Sequence, residues 1–230
     1  MSTIADNIAQ VSSRIHAAAR AAHRDEHSVQ LLAVSKTKPA EALREAHAAG
    51  ICDFGENYLQ EALGKQLELA DLPLIWHFIG PIQSNKTRAI AEHFAWVHSV
   101  DRLKIAQRLS EQRPADLPPL NICIQVNVSG EASKSGCTPE DLPALAQAIS
   151  QLPRIRLRGL MAIPEPTEDR AAQDAAFAAV QQLQASLNLP LDTLSMGMSH
   201  DLESAIAMGA TWVRIGTALF GARGSQPMQP

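Results

Sequence analysis

Ile4, Ile8, Val11, Ile15, Ala18 and Ala22 recur at three- and four-residue spacing with polar residues between them. That spacing gathers them on one face and predicts an amphipathic helix over 4–24. The next apolar stretch is of another kind. Leu31-Leu32-Ala33-Val34 is unbroken, runs into Ser35-Lys36-Thr37-Lys38 and stops at Pro39. An unbroken apolar run reads as a strand covered on both faces, here 31–36. Pro39 suits the first turn of a helix. Residues 40–49 are strong helix formers, and Gly50 stands where that helix would end.

The same alternation then repeats. Strand-like runs occupy 51–55, 74–79, 95–100, 121–128, 155–163, 193–198 and 211–220, eight in all with 31–36. Helical stretches at 57–69, 85–93, 102–111, 139–150, 168–187 and 200–208 separate most of them. Thr138-Pro139-Glu140-Asp141 opens the 139–150 helix with an N-cap, an N1 proline and first-turn acids. Strands alternating with helices imply a parallel sheet with right-handed crossovers. Eight of them close a (β/α)8 barrel. An open doubly wound sheet would need edge strands, and no run is weak or charged enough to serve. The expectation is therefore α/β, a single TIM-type barrel domain over 1–230. GARGSQPMQP at the C-terminus is too short and too rich in glycine and proline for a closing helix. The N-terminal helix is expected to cover the wall there.

Composition narrows the class. With 230 residues and 46% hydrophobic content the chain can bury a domain-sized core. Twenty Lys and Arg against 24 Asp and Glu give a net charge of -4, without a long basic run. That balance argues against nucleic acid as the main partner. Cys52, Cys123 and Cys137 are odd in number and lack metal-ligand spacing, so free, buried thiols are expected. The N-terminus lacks a signal-peptide pattern, and no apolar run has membrane-spanning length. A reducing cytoplasm is the expected compartment.

In parallel barrels the reacting groups come from the C-terminal ends of the strands. Lys36 stands at such an end, half-sheltered by apolar residues and beside Lys38. A lysine in that setting can act as a Schiff-base nucleophile; taken alone, the stretch reads first as a solvated lysine at a strand end, and the rest of the chain changes that. Ser199 opens the helix after the seventh strand, and Gly216-Thr217 end the eighth. The loops there often hold a phosphate through backbone N–H groups, a hydroxyl and a helix start. For Ser199 an ordinary N-cap is the competing reading. Arg214, on an otherwise apolar strand, is expected to point into the barrel mouth and to need a partner, either a ligand atom or a carboxylate such as Glu56. A lysine facing a phosphate cradle suits a phosphorylated aldehyde or ketone: pyridoxal 5′-phosphate (PLP) first, a phosphosugar on an aldolase-like lysine second. His16, His23, His27 and His47 read as solvated helix positions, and Met161, Met196, Met198, Trp76 and Trp96 as packing.

The segments LLAVSKTKP, FGENYLQEALGK, WHFIGPIQSNK, HSVDR, QVNVSGEASKSG, GLMAIP and LSMGMSHDLESAIAMGATWVRIGTALFGAR resemble the YggS/PROSC family of PLP-binding proteins, from about residue 5 to 223. The resemblance implies the fold-type III PLP barrel, as in the N-terminal domain of alanine racemase. It also implies a role in vitamin B6 homeostasis, by buffering or delivering PLP without robust turnover. By the same resemblance Lys36 carries PLP as an aldimine, Ser199, Gly216 and Thr217 hold its phosphate, Arg214 lies near the pyridine nitrogen, and Asn57 neighbours the cofactor. The implied partners are PLP and PLP-dependent apo-enzymes; separately, the lack of a second domain favours a monomer. The alternative is a PLP-dependent amino-acid racemase or related enzyme using Tyr58 or a loop lysine. Lys134, in the polar stretch 129–136, is expected to belong to a lid over the site.

Overall fold

A computed structural model describes residues 1–131 and 135–222. Lys134 lies outside them. Eight strands, β1 Gln30–Val34, β2 Asp53–Glu56, β3 Ile75–Phe78, β4 Trp96–Val100, β5 Leu120–Gln125, β6 Ile155–Met161, β7 Thr193–Ser195 and β8 Trp212–Ile215, pair in chain order into a closed barrel. All pairs are parallel, and β8 returns to β1 with Leu32 beside Arg214 and Ala33 beside Ile215. The expected barrel is the observed one.

The helices around it are α1 Ile4–Ala21, α2 Ala40–Ala48, α3 Leu59–Glu68, α4 Thr87–His93, α5 Leu103–Gln112, α6 Leu142–Ser150, α7 Arg170–Ser186, α8 Leu202–Ala207 and α9 Thr217–Phe220. Thr3 and Asp6 cap α1 reciprocally, each side chain accepting the other's backbone N–H at 3.1 Å. Its buried face is Ile8, Val11, Ile15 and Ala19. The helix stops at Ala21 rather than 24 because His23 turns left-handed (φ 57°), with the Arg24 N–H returning to the Ala19 carbonyl. His23 and His27 therefore lie in the following turn, not on a helix. As expected, α1 seals the wall near the chain end: Asn7 donates to the Leu219 carbonyl, and Arg14 pairs with Glu203 on α8.

Three local expectations are corrected. The run 211–220 is strand only to Ile215, because Thr217–Phe220 form α9; a short apolar run cannot by itself tell strand from helix. Asp141, not Thr138, is the residue before α6, and Thr138 instead accepts the Asp141 N–H across the preceding turn. Ser199 lies in a turn and does not cap α8, whose preceding residue is Asp201. Strand ends elsewhere differ by a few residues, and Glu56 belongs to β2.

Most of the core lies between barrel and helices. Inside the barrel, Trp96, Cys123 and Met161 form a separate cluster. His77 stacks on Trp96 at 5.5 Å and meets Trp212 edge-on at 4.9 Å. The Arg158 guanidinium lies 4.7 Å from the Trp96 ring. Cys123 and Cys137 are buried free thiols, but Cys52 is partly exposed.

Candidate functional site

The C-terminal ends of the strands open into a cavity of about 340 Å³. Lys36, Asn57, Ser199, Arg214, Gly216 and Thr217 all line it, with Val34, Ile79, Ile163 and Met198 as apolar walls. Two ends of the chain's sequence thus meet because β8 lies beside β1.

The backbone around Lys36 is held from outside the barrel. Ser35 donates its N–H to the Gly55 carbonyl at 3.0 Å and its hydroxyl to Glu56 Oε1 at 2.8 Å. Lys65 on α3 donates to the Ser35 carbonyl and to Glu56 Oε1, both at 2.7 Å, and lies 3.0 Å from Glu61. Glu61 in turn accepts the Thr37 N–H at 2.6 Å. Thr37 is left-handed (φ 66°), a costly backbone for a β-branched residue unless its surroundings hold it. Lys36 is thus flanked by two anchored peptides. Glu56, expected as a partner for Arg214, is committed to Lys65 and Ser35 instead. Burial pushes its carboxyl above the usual range, and Lys65 pulls it back.

Lys38 lines the cavity too, but its ammonium reaches the carbonyls of Phe220, Gly221 and Ala222 at 3.3–3.5 Å. A cation there complements the end of α9.

Arg214 is buried at the cavity's inner end. It donates through Nη1 to Ser195 Oγ at 2.8 Å and through Nη2 to the Ala162 carbonyl at 3.0 Å. Burial lowers its pKa to about 10, which still leaves it a cation at neutral pH. The donor set opposite consists of the Ser199 and Thr217 hydroxyls and the first N–H groups of α9, which point out of the helix as at any helix start. Gly216 has φ −116°, accessible to any residue, and a Cβ there would sit 3.4 Å from the Val34 carbonyl. The protein itself has room for that atom, so the value of a glycine lies on the cavity side, where the backbone can meet an anion. Asn57 lines the cavity, and its Oδ1 is buried with no hydrogen-bond partner among the described residues. A lysine amine, a fixed guanidinium, a neighbouring amide and an anion cradle fit a phosphorylated aromatic aldehyde.

Tyr58 is 52% exposed beside this cavity and is not part of its lining. Sequence reasoning missed the interior partners of Arg214. Ser195, His98, His77 and Asp53 are polar residues within strands that otherwise build the barrel wall; reading each strand's alternate positions for stray polar groups would have flagged them.

Comparison with known proteins agrees with the fold. The family model described as the alanine racemase N-terminal domain matches residues 4–224. The pyridoxal phosphate homeostasis protein of Pseudomonas aeruginosa is 80% identical over 223 residues, 97% of each chain. Its namesake in Escherichia coli K12 is 55% identical over 229 residues, 97% of this chain and 98% of that one. The structure of PipY of Synechococcus elongatus with PLP bound has a TM-score of 0.84 at 44% identity, covering 95% of this chain and 100% of that one. Alanine racemase of Corynebacterium glutamicum shares the fold, with a TM-score of 0.69 at 17% identity over 97% of this chain and 64% of that one.

Proposed function

The chain belongs to the alanine racemase N-terminal domain family, with the pyridoxal phosphate homeostasis proteins among its relatives, and from that premise we propose that it binds PLP at the barrel mouth and serves PLP homeostasis. The observation that carries the reading is the convergence of Lys36, Arg214 and the Gly216-Thr217 turn on one cavity. PLP supplies an aldehyde that a lysine amine can hold as a Schiff base, and a phosphate that needs donors. In this reading Lys36 supplies the amine, and the clamp on Ser35 and Thr37 keeps it aimed. Ser199, Thr217 and the Gly216 backbone hold the phosphate. Arg214 holds the ring nitrogen. Asn57 neighbours the ring. Residues 1–230 act as one domain.

The same residues argue for storage or delivery over turnover. A guanidinium that keeps its proton at neutral pH donates a hydrogen bond to a ring nitrogen and does not protonate it. A racemase needs a second base opposite the lysine, and the exposed Tyr58 does not line the cavity. We take the chain to work as a monomer in the cytoplasm and to pass PLP to apo-enzymes.

The test is the absorbance spectrum of the purified protein after incubation with PLP, beside Lys36→Ala. A visible band that borohydride removes, and that the variant lacks, supports the reading. A wild-type protein that stays colourless overturns it. Exchange of an amino acid's α-proton with solvent at catalytic rates would replace homeostasis with the racemase alternative.

A further inference from the structure

Below the cavity a continuous polar line crosses the barrel interior. Asp53 Oδ1 lies 2.8 Å from His77 Nε2, and His77 Nδ1 lies 2.9 Å from His98 Nε2. His98 Nδ1 lies 2.7 Å from Ser195 Oγ, which accepts from Arg214 Nη1 at 2.8 Å. His77, His98 and Ser195 are fully buried, whereas the Asp53 side chain is 24% exposed at the first residue of β2, at the end of the barrel opposite the cavity.

The chemistry of the groups fixes a direction. An ionised carboxylate only accepts, so His77 carries its proton on Nε2; a neutral imidazole then accepts at Nδ1. His98 must therefore donate through Nε2 and accept at Nδ1, where the Ser195 hydroxyl supplies the proton. That hydroxyl is left to accept from Arg214. One orientation satisfies every member, and it runs from Arg214 to Asp53.

The surroundings favour neutral rings. Burial lowers the pKa of both histidines, and for His98 the neighbouring His77 and Arg214 lower it further, whereas Asp53 opposes the shift at His77. Around them stand Trp96 on β4, Trp212 on β8 and the buried Cys123 thiol on β5, which burial pushes up to about 12. Arg158 on β6 covers Trp96 and is paired with Asp192, and Asp201 acts on Arg214 from the turn before α8.

We propose that Asp53, His77 and His98 are positioning residues for Arg214: a one-way hydrogen-bonded chain through Ser195 that fixes the guanidinium's orientation at the cavity. The consequence for ligand retention rests on the PLP reading, whereas the chain itself does not.

The test has two parts. In ligand-free protein, ring ¹⁵N shifts report the tautomers, and hydrogen exchange reports the Arg214 guanidinium protons. Both histidines are expected protonated on Nε2, with guanidinium exchange speeding about tenfold or more in Ser195→Ala and Asp53→Ala. Asp53→Asn keeps an acceptor for His77 and is expected to restore slow exchange. In PLP-loaded protein, the two alanine variants should release PLP several-fold faster and Asp53→Asn should not. A His98 proton on Nδ1, or guanidinium exchange unchanged in a folded Asp53→Ala, overturns the proposal. Unchanged PLP release with altered exchange overturns its link to the ligand. A wild type that takes up no PLP overturns the binding reading alone, since tautomers and exchange still judge the chain. If Asp53→Ala does not fold, the buried-end variant Ser195→Ala carries the same measurements, and unchanged exchange there is equally fatal.

Discussion

The ammonium of Lys65 sits 2.7 Å from the carbonyl oxygen of Ser35, so a charge on α3 holds the peptide immediately before Lys36. The same ammonium neutralises Glu56, whose side chain is fully buried and whose Oε2 has no hydrogen-bond partner among the described residues. Position and charge compensation at this strand end are therefore one device.

Removing only the cation should be costly. Lys65→Met leaves the Glu56 carboxylate buried without a counterion, and loss of one member of a buried pair costs about 3–5 kcal/mol. Adding Glu56→Gln should recover a good part of that, because no charge then remains to compensate. Urea unfolding of the single and double variants decides it; a double variant less stable than Lys65→Met would contradict the account.

The two lysines near the cavity should separate cleanly. Lys38 serves the carbonyls at the end of α9 from a partly exposed position, so Lys38→Ala should cost no more than about 1 kcal/mol and leave the visible PLP band in place. Lys36→Ala should lose the band. Equal loss of the band in both variants, by absorbance after PLP incubation, would remove the distinction.

Gly80 determines where Asn57 can lie. A Cβ at Gly80 would fall 2.3 Å from the Asn57 carbonyl oxygen, and backbone must then move. Gly80→Ala is expected to destabilise by about 1–3 kcal/mol, the usual cost of overpacking, and to weaken PLP binding by shifting Asn57. Thermal unfolding and a PLP titration check both, and normal values in each would show that the loop yields freely.

The buried histidines predict acid sensitivity. Both have folded-state pKa values below 6.5, so the unfolded chain binds more protons once pH falls through that value. Their contribution is complete above pH 6.5 and is lost progressively below it. The slope is at most about 1.4 kcal/mol per pH unit for each histidine. Urea midpoints between pH 7.5 and 5.5 should fall towards acid, before most carboxylates titrate. His77→Gln should flatten the fall. An unchanged slope in that variant would assign the acid loss elsewhere.

What the sequence alone determined is what local patterning can encode. Unbroken apolar runs alternating with amphipathic stretches specify buried parallel strands and covering helices, and eight repeats specify closure. Strand-end chemistry marked Lys36, Arg214 and Gly216-Thr217, because the end of a parallel strand is where such groups can face a ligand. The limits were equally physical. Thr217–Phe220 is an apolar tetrapeptide that suits strand or helix, and its contact with α1 through Asn7 and Leu219 belongs to the folded state. Ser199 looked like an N-cap because it precedes a helix, yet Arg14 of α1 donates to its carbonyl within the turn. Above all, partners were illegible. Glu56 chose Lys65, nine residues on, and Arg214 chose Ser195, nineteen residues back. Which polar side chains meet inside a barrel depends on the stagger of its strands and on which residues face inward at one level. Only the closed sheet brings Asp53, His77, His98, Ser195 and Arg214 into line.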